Sequence, residues 1–229
     1  EGEEKEPVLQ TLTIFAGGIV YDFRWTEPKE ITVFDPLRGH FTLLDESQRI
    51  KAVVTTQELL DFSLQLEKEA AKQKGLVAFC AQPDFAQTES PIEQHGQTLT
   101  ELRFDAKPLT YVVLGQKAQH AEAAKAYRQF ADWCARLNTT AGNLPAAARL
   151  VVNQTLAEKE LLPLEVTRTV PVGKKSRVLR SEHRFNWKLS GEDEKRIGRA
   201  GDAMAQFEVV SYQRYCNGPD KSANKQVRR

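Results

Sequence analysis

Residues 18–25 read GIVYDFRW, and three similar runs follow: EITVFDP at 30–36, HFTLLD at 40–45 and QRIKAVV at 48–54. In the first run the odd positions are Ile19, Tyr21, Phe23 and Trp25, and the even ones Val20, Asp22 and Arg24. Strict alternation puts aromatics on one face of a strand and charges on the other. β-Branched and aromatic residues suit such a half-buried surface. Pro28 breaks the first run because it has no ladder donor. Asp35-Pro36-Leu37-Arg38-Gly39 has the residues of a tight turn: Asp at its first position, Pro to preset φ, and Gly to relieve strain beyond. Glu46-Ser47-Gln48 makes a second break. Short strands joined by tight turns predict an antiparallel meander with one apolar face.

Beyond the meander, Thr55-Thr56-Gln57-Glu58 is a capping box, with Thr55 accepting from the amide of Glu58 and Glu58 reaching back. Leu59, Phe62 and Leu66 follow at helical spacing, so a helix is predicted to about Lys74, stopping at Gly75. A short strand is expected over Leu76–Cys80 and a polar loop from Pro83 to Gly96. GQTLTELRF and PLTYVVLG read as paired strands. A long helix is expected over 117–138, with Tyr127, Phe130, Cys134 and Leu137 on its face, and another after Pro145. Residues 164–170 and 177–189 return to strand, and Ser190 with Asp193 starts a final helix. Phe207–Tyr215 fits helix or strand.

The chain has 229 residues, 41% hydrophobic and 28% charged, an ordinary globular composition. Folding at this size buries roughly 70–75% of the unfolded surface, so the core needs no staples. Lys+Arg 32 against Asp+Glu 31 leaves a net charge of +1, which argues against a general nucleic-acid or anionic-membrane binder, though not against a local patch. There is no run of about 18 apolar residues, so no transmembrane segment is expected. We expect a flexible N-terminal segment (1–9), a single α+β domain (10–216) and a basic, disordered tail (217–229). The acidic start EGEEKEP reads as a solvated linker of an exported protein whose signal segment is gone.

Catalytic and metal motifs are missing. Gly173-Lys174-Lys175-Ser176 fails as a phosphate loop because Arg168 and Lys175 stand where Gly and Ser/Thr are needed. There is no GxSxG and no HExxH. Cys80, Cys134 and Cys216 are far apart and form no CxxC, although a Cys80–Cys134 bridge fits an exported protein. No two of His40, His95, His120 and His183 have helical metal-ligand spacing. No cofactor, metal or catalytic residue is therefore expected, and a hydrolase site around His40 or His183 is the weaker alternative.

The candidate ligand-binding residues are Tyr21, Phe23, Trp25, Arg168, His183, Phe185 and Trp187. Arg168 interrupts the apolar row Leu164, Val166, Val170, where a charge is costly unless it is paired or at a cavity rim. It is either a snorkelling edge arginine or a cation lining a ligand cavity. The row Tyr21, Phe23, Trp25, with Phe185 and Trp187 across the sheet, is either half of a packed core or an aromatic-lined groove for an apolar ligand.

The order of elements resembles a family. ITVFDPLRGHFTLLDESQRI leads into TTQELLDF, and LPLEVTRTV precedes a long closing strand. This pattern, over roughly residues 10–80 and 160–190, is similar to the outer-membrane lipoprotein-carrier (LolA/LolB-like) superfamily. The resemblance implies a curved, half-barrel-like antiparallel sheet with helices on one face and an apolar cavity for acyl chains between them. It further implies a periplasmic or otherwise exported, non-enzymatic protein that binds lipid, a lipidated protein or a protein partner. The helical stretch at about 117–160 departs from the carrier pattern.

Overall fold

The computed structural model describes residues 7–94, 96–173 and 175–217. The expectations for the first six residues, for His95 and Lys174, and for the tail from 218 onward lie outside the described residues. In chain order, five strands come first: β1 (Thr11–Ala16), β2 (Ile19–Arg24), β3 (Glu30–Asp35), β4 (His40–Asp45) and β5 (Ile50–Thr55). Helices α1 (Thr56–Ala71) and α2 (Leu76–Ala81) precede β6 (Ala86–Gln94), β7 (Gln97–Ala106) and β8 (Leu109–Lys117). Then come α3 (Ala121–Thr140), α4 (Ala147–Glu158), β9 (Leu161–Val172) and β10 (Lys175–Glu182). The last elements are α5 (Gly191–Gln206), β11 (Glu208–Val209) and α6 (Tyr212–Cys216). The α+β class expected from the sequence holds, with the strands divided between two antiparallel-rich open sheets. The described residues fall into two compact units, one from Glu1–Leu59 with Asn186–Arg229, the other from Leu60–Phe185.

The first unit is built on the predicted meander. Its sheet runs β1-β2-β3-β4-β5-β11, antiparallel except that β11 joins β5 in parallel. The turns form as their residues require. Asp35 accepts from the Arg38 amide at 2.9 Å, and Asp45 accepts from the amides of Ser47 and Gln48, each at 3.0 Å. Gly39 has φ +64°, and a Cβ there would stand 2.9 Å from Thr56 Oγ1, so both conformation and space require glycine. Strand β1 is an addition to the expected set. It is tied to β2 by a two-residue Gly17-Gly18 turn with both φ positive, the geometry favoured in tight hairpins.

One face of this sheet presents Ile14, Tyr21, Phe23, Ile31, Val33 and Leu44, which pack against Ala200 and Ala203 of α5. Two alanines at this spacing let the helix backbone approach the aromatic rows closely. Ser190 caps α5 as expected: its Oγ accepts from the Asp193 amide at 3.2 Å, while Asp193 accepts from the Ser190 amide at 3.0 Å. The opposite face is apolar too. The register aligns Val20, Phe34, Phe41 and Val54 across four strands, all four are buried, and the Phe34 and Phe41 rings stack at 4.5 Å. The charges expected there lie toward its margin, where Arg24 pairs with Glu30 at 3.3 Å.

The second unit is a five-stranded antiparallel meander, in the order β10-β9-β8-β7-β6, with α3 and α4 inserted between β8 and β9. The capping box that starts α1 is formed: the Glu58 amide donates to Thr55 Oγ1 at 3.1 Å and the Thr55 amide to Glu58 Oε2 at 2.8 Å. Helix α2 replaces the strand expected over Leu76–Cys80. Its run LVAFCA is short and apolar, and such runs fit either structure. Here Leu76, Phe79 and Cys80 meet the core at helical spacing. Strand β6 replaces the expected polar loop. It is an edge strand, where Pro91 costs no ladder bond, and nearly all of it is exposed. The core lies between the sheet residues Leu102, Phe104, Leu109, Tyr111, Val113 and Val166 and the α4 residues Ala148, Val152 and Leu156. Every residue of β10 is exposed.

The expected long closing strand stops early. β10 ends at Glu182, and 183–190 have no regular structure. His183, Phe185, Trp187 and Leu189 therefore do not share a strand face. Alternation alone over-extends a strand when no partner strand continues beside it.

Candidate ligand-binding site

The seven candidate residues belong to different units. Tyr21 and Phe23 are buried in the core beneath α5. Burial, with the Asp35 charge nearby, pushes the Tyr21 phenol upward. Trp25 lies just past β2 and is 52% exposed. Trp187 belongs to this first unit and is also exposed. Arg168, His183 and Phe185 belong to the second unit.

Strand register places Arg168. Arg168 of β9 is the cross-strand partner of Tyr111 on β8 and of Leu179 on β10. Partners directly opposite share a sheet face. Tyr111 is buried in the core under α4, so Arg168 stands on the same helix-covered face. The helices cover the neighbouring strands and leave β10 open, and Leu179 is 47% exposed beside Arg168. His183 extends the pairing beyond β10, its amide donating to the Leu164 carbonyl at 2.8 Å. Tyr127 of α3 meets His183 and Phe185 edge-on, with ring centroids at 6.4 and 6.1 Å.

Arg149 lies in the first turn of α4. Burial pushes the Tyr127 phenol upward, opposed by the charge of Arg149 and a hydrogen bond to it. Tyr111 is likewise raised by burial and opposed by Arg149 and Arg168 together. Burial, then the Arg149 charge, pushes the His183 imidazole down to about 4. Burial raises the Cys80 thiol to about 11, with Arg168 acting against it. Arg168 thus acts on a phenol and a thiol, and Arg149 on two phenols and an imidazole. Among the described residues neither has a carboxylate in an ion pair; Glu165 pairs with Arg180, and Asp132 with Arg128.

This arrangement suits binding better than acid–base work. His183 Nε2 lies 3.2 Å from Ser181 Oγ, a nucleophile–base spacing. A base must become imidazolium, and Arg149 opposes that charge. His40 pairs with Asp35 and Thr55 only as a cross-strand neighbour. Among the described residues no group of three His, Cys, Asp or Glu is placed to hold a metal ion. The cysteines are free, so the Cys80–Cys134 bridge is not formed in this structure. An open groove of about 520 Å³ runs along α3 and the end of α4. Arg136 lies over the Trp133 ring there, 5.4 Å from its centroid, and Asp132 accepts from Asn153 at 2.8 Å. Its charges are of both signs: Arg128 pairs with Asp132 at 3.3 Å, whereas Arg136 Nη1 is buried without a hydrogen-bond partner.

Comparison with protein-family models, curated proteins and solved structures finds no match. Among the described residues no helix is long and apolar enough to cross a membrane.

Sequence reasoning singles out Arg168 and His183 but not Arg149 or Tyr111. Arg149 had one local signal. It is a cation in the first turn of a helix with no acidic residue there and no side-chain cap, where the helix dipole disfavours positive charge.

Proposed function

We propose that this protein is a non-enzymatic binding protein, and that its second unit holds the ligand at the open margin of the helix-covered sheet face. The observation that carries this reading is Arg168. A cation on an otherwise apolar face, without a carboxylate partner, opposes folding and is retained where a ligand supplies the missing interactions. Exposed Leu179, its cross-strand partner on β10, gives the ligand an apolar surface beside it. A lipid, a lipidated protein or a protein partner fits such a surface, and the carrier-like resemblance and the exported location belong to the same proposal. Native mass spectrometry of protein purified without detergent tests it: a bound species lost in Arg168→Gln supports the reading. Homogeneous unliganded protein that captures no lipid or partner counts against it.

A second reading is an interaction protein with no small ligand. The packing of Tyr21 and Phe23 against Ala200 and Ala203 favours it for the first unit, where the aromatic row is core.

A further inference from the structure

Lys125, Arg128, Asp132, Trp133 and Arg136 recur at helical spacing on one face of α3 and line the open groove of about 520 Å³, together with Glu158, the last residue of α4. That volume is the size of a small-molecule site. Most of the groove's charged groups are already engaged. Lys125 pairs with Glu122 at 2.8 Å. Asp132 is held at both oxygens, by the Asn153 amide at 2.8 Å and by Arg128 at 3.3 Å. Glu158 accepts from Gln154 at 2.7 Å. Arg136 differs. Among the described residues no ion pair or side-chain hydrogen bond engages its guanidinium, and Nη1 is buried without an acceptor. The guanidinium stands over the Trp133 ring, 5.4 Å from its centroid, a contact that uses its charge but none of its N–H donors.

The Asn153–Asp132 bond and the short connection between the helices set α3 and α4 antiparallel. Glu158 therefore falls at the Lys125–Arg128 end of the groove, and Arg136 at the other. We infer that this groove is a binding site for an aromatic carboxylate, with the carboxylate taken by Arg136 and the ring system lying against the indole of Trp133. A guanidinium fork matches the paired oxygens of a carboxylate, and the ligand supplies the acceptor that the fold does not. The indole gives a flat apolar wall that favours an aromatic body over an aliphatic one. None of these residues belongs to the Arg168 margin, so this site stands or falls independently of the function proposed there.

The test is calorimetric titration of the full chain with naphthoate, its neutral analogue naphthamide and its saturated analogue decahydronaphthoate. Variants R136Q, R136K and W133L and the control R168Q are compared, each checked for folding by near-ultraviolet circular dichroism. Naphthoate is expected to bind at least about tenfold more tightly than naphthamide, and R136Q to remove about tenfold, the scale of one charge-assisted contact. R136K keeps the charge and loses the fork, so an intermediate affinity is expected. W133L should remove the advantage of naphthoate over decahydronaphthoate, and R168Q should bind like the parent. Naphthamide binding as tightly as naphthoate overturns the role of Arg136, and this comparison holds in the parent protein even if R136Q fails to fold. Decahydronaphthoate binding as tightly as naphthoate overturns the aromatic preference. A loss in R168Q equal to that in R136Q would place the anion on β9 and overturn the groove site. If no probe binds, the groove site falls and the reading built on Arg168 is untouched.

Discussion

Tyr111 and Arg168 face each other across β8 and β9, one buried in the core and the other reaching from the same face toward its open margin. Their pairing fixes where the cation stands, because strand register holds the Arg168 backbone opposite Tyr111. No acidic side chain of the described residues pairs with its guanidinium. Charge so placed is a cost to the empty fold and a resource for binding.

Arg168→Met is accordingly expected to stabilise the ligand-free protein by about 1 kcal/mol, because it keeps the packed stem and removes an uncompensated cation. Urea unfolding of the two proteins measures it. Destabilisation by more than about 1 kcal/mol would mean that the Arg168 guanidinium holds the sheet rather than serving a ligand.

Acid should weaken the protein through His183. In the folded chain the imidazole takes a proton only near pH 4, whereas unfolded it does so near 6.5. Between those values the unfolded state binds the extra proton, so stability present above pH 6.5 is lost as pH falls toward 4. The groups facing the ring are Arg149, the Tyr127 ring and the Ser181 hydroxyl. The loss is at most about 3 kcal/mol, less to the extent that water reaches the ring. His183→Gln lacks this term, so its melting temperature relative to the parent should rise between pH 7.5 and pH 4.5. A constant difference would mean that His183 titrates normally.

The aromatic row separates core from surface. Phe23→Ala should cost about 3–5 kcal/mol, the loss for a buried aromatic, whereas Trp25→Ala should stay within about 1 kcal/mol. Chemical denaturation followed by circular dichroism distinguishes them. Equal, small costs would return Phe23 to the role of a ligand-contacting side chain.

Loss of the α5 cap should be felt in the first unit. Ser190→Ala leaves the Asp193 amide without its acceptor and should cost about 1 kcal/mol. Hydrogen exchange localises it: faster exchange is expected over α5 and the strands it packs on. Unchanged exchange there would show that tertiary packing alone holds the helix.

The meander, both capping boxes, the β7–β8 hairpin and the final helix were legible because each is specified by neighbours in sequence: alternation, Asp and Gly at turns, Thr or Ser three residues before Glu or Asp. What stayed hidden depends on partners far along the chain. Nothing local in LVAFCA distinguishes helix from strand, and the exposed, Pro-containing 86–94 becomes a strand only because β7 offers it an edge. The two-unit division leaves no linker signature, because one boundary falls inside α1 and the other at Phe185/Asn186. Arg168 stood out as a charge in an apolar row.

The most direct measurement follows the Arg168 side chain itself. In ¹⁵N-labelled protein purified without detergent, removing the co-purified species should shift the Nε–H signal of Arg168 while that of Arg180 stays in place. An Arg168 signal that does not move, or moves no more than that of Arg180, would contradict the binding role of Arg168.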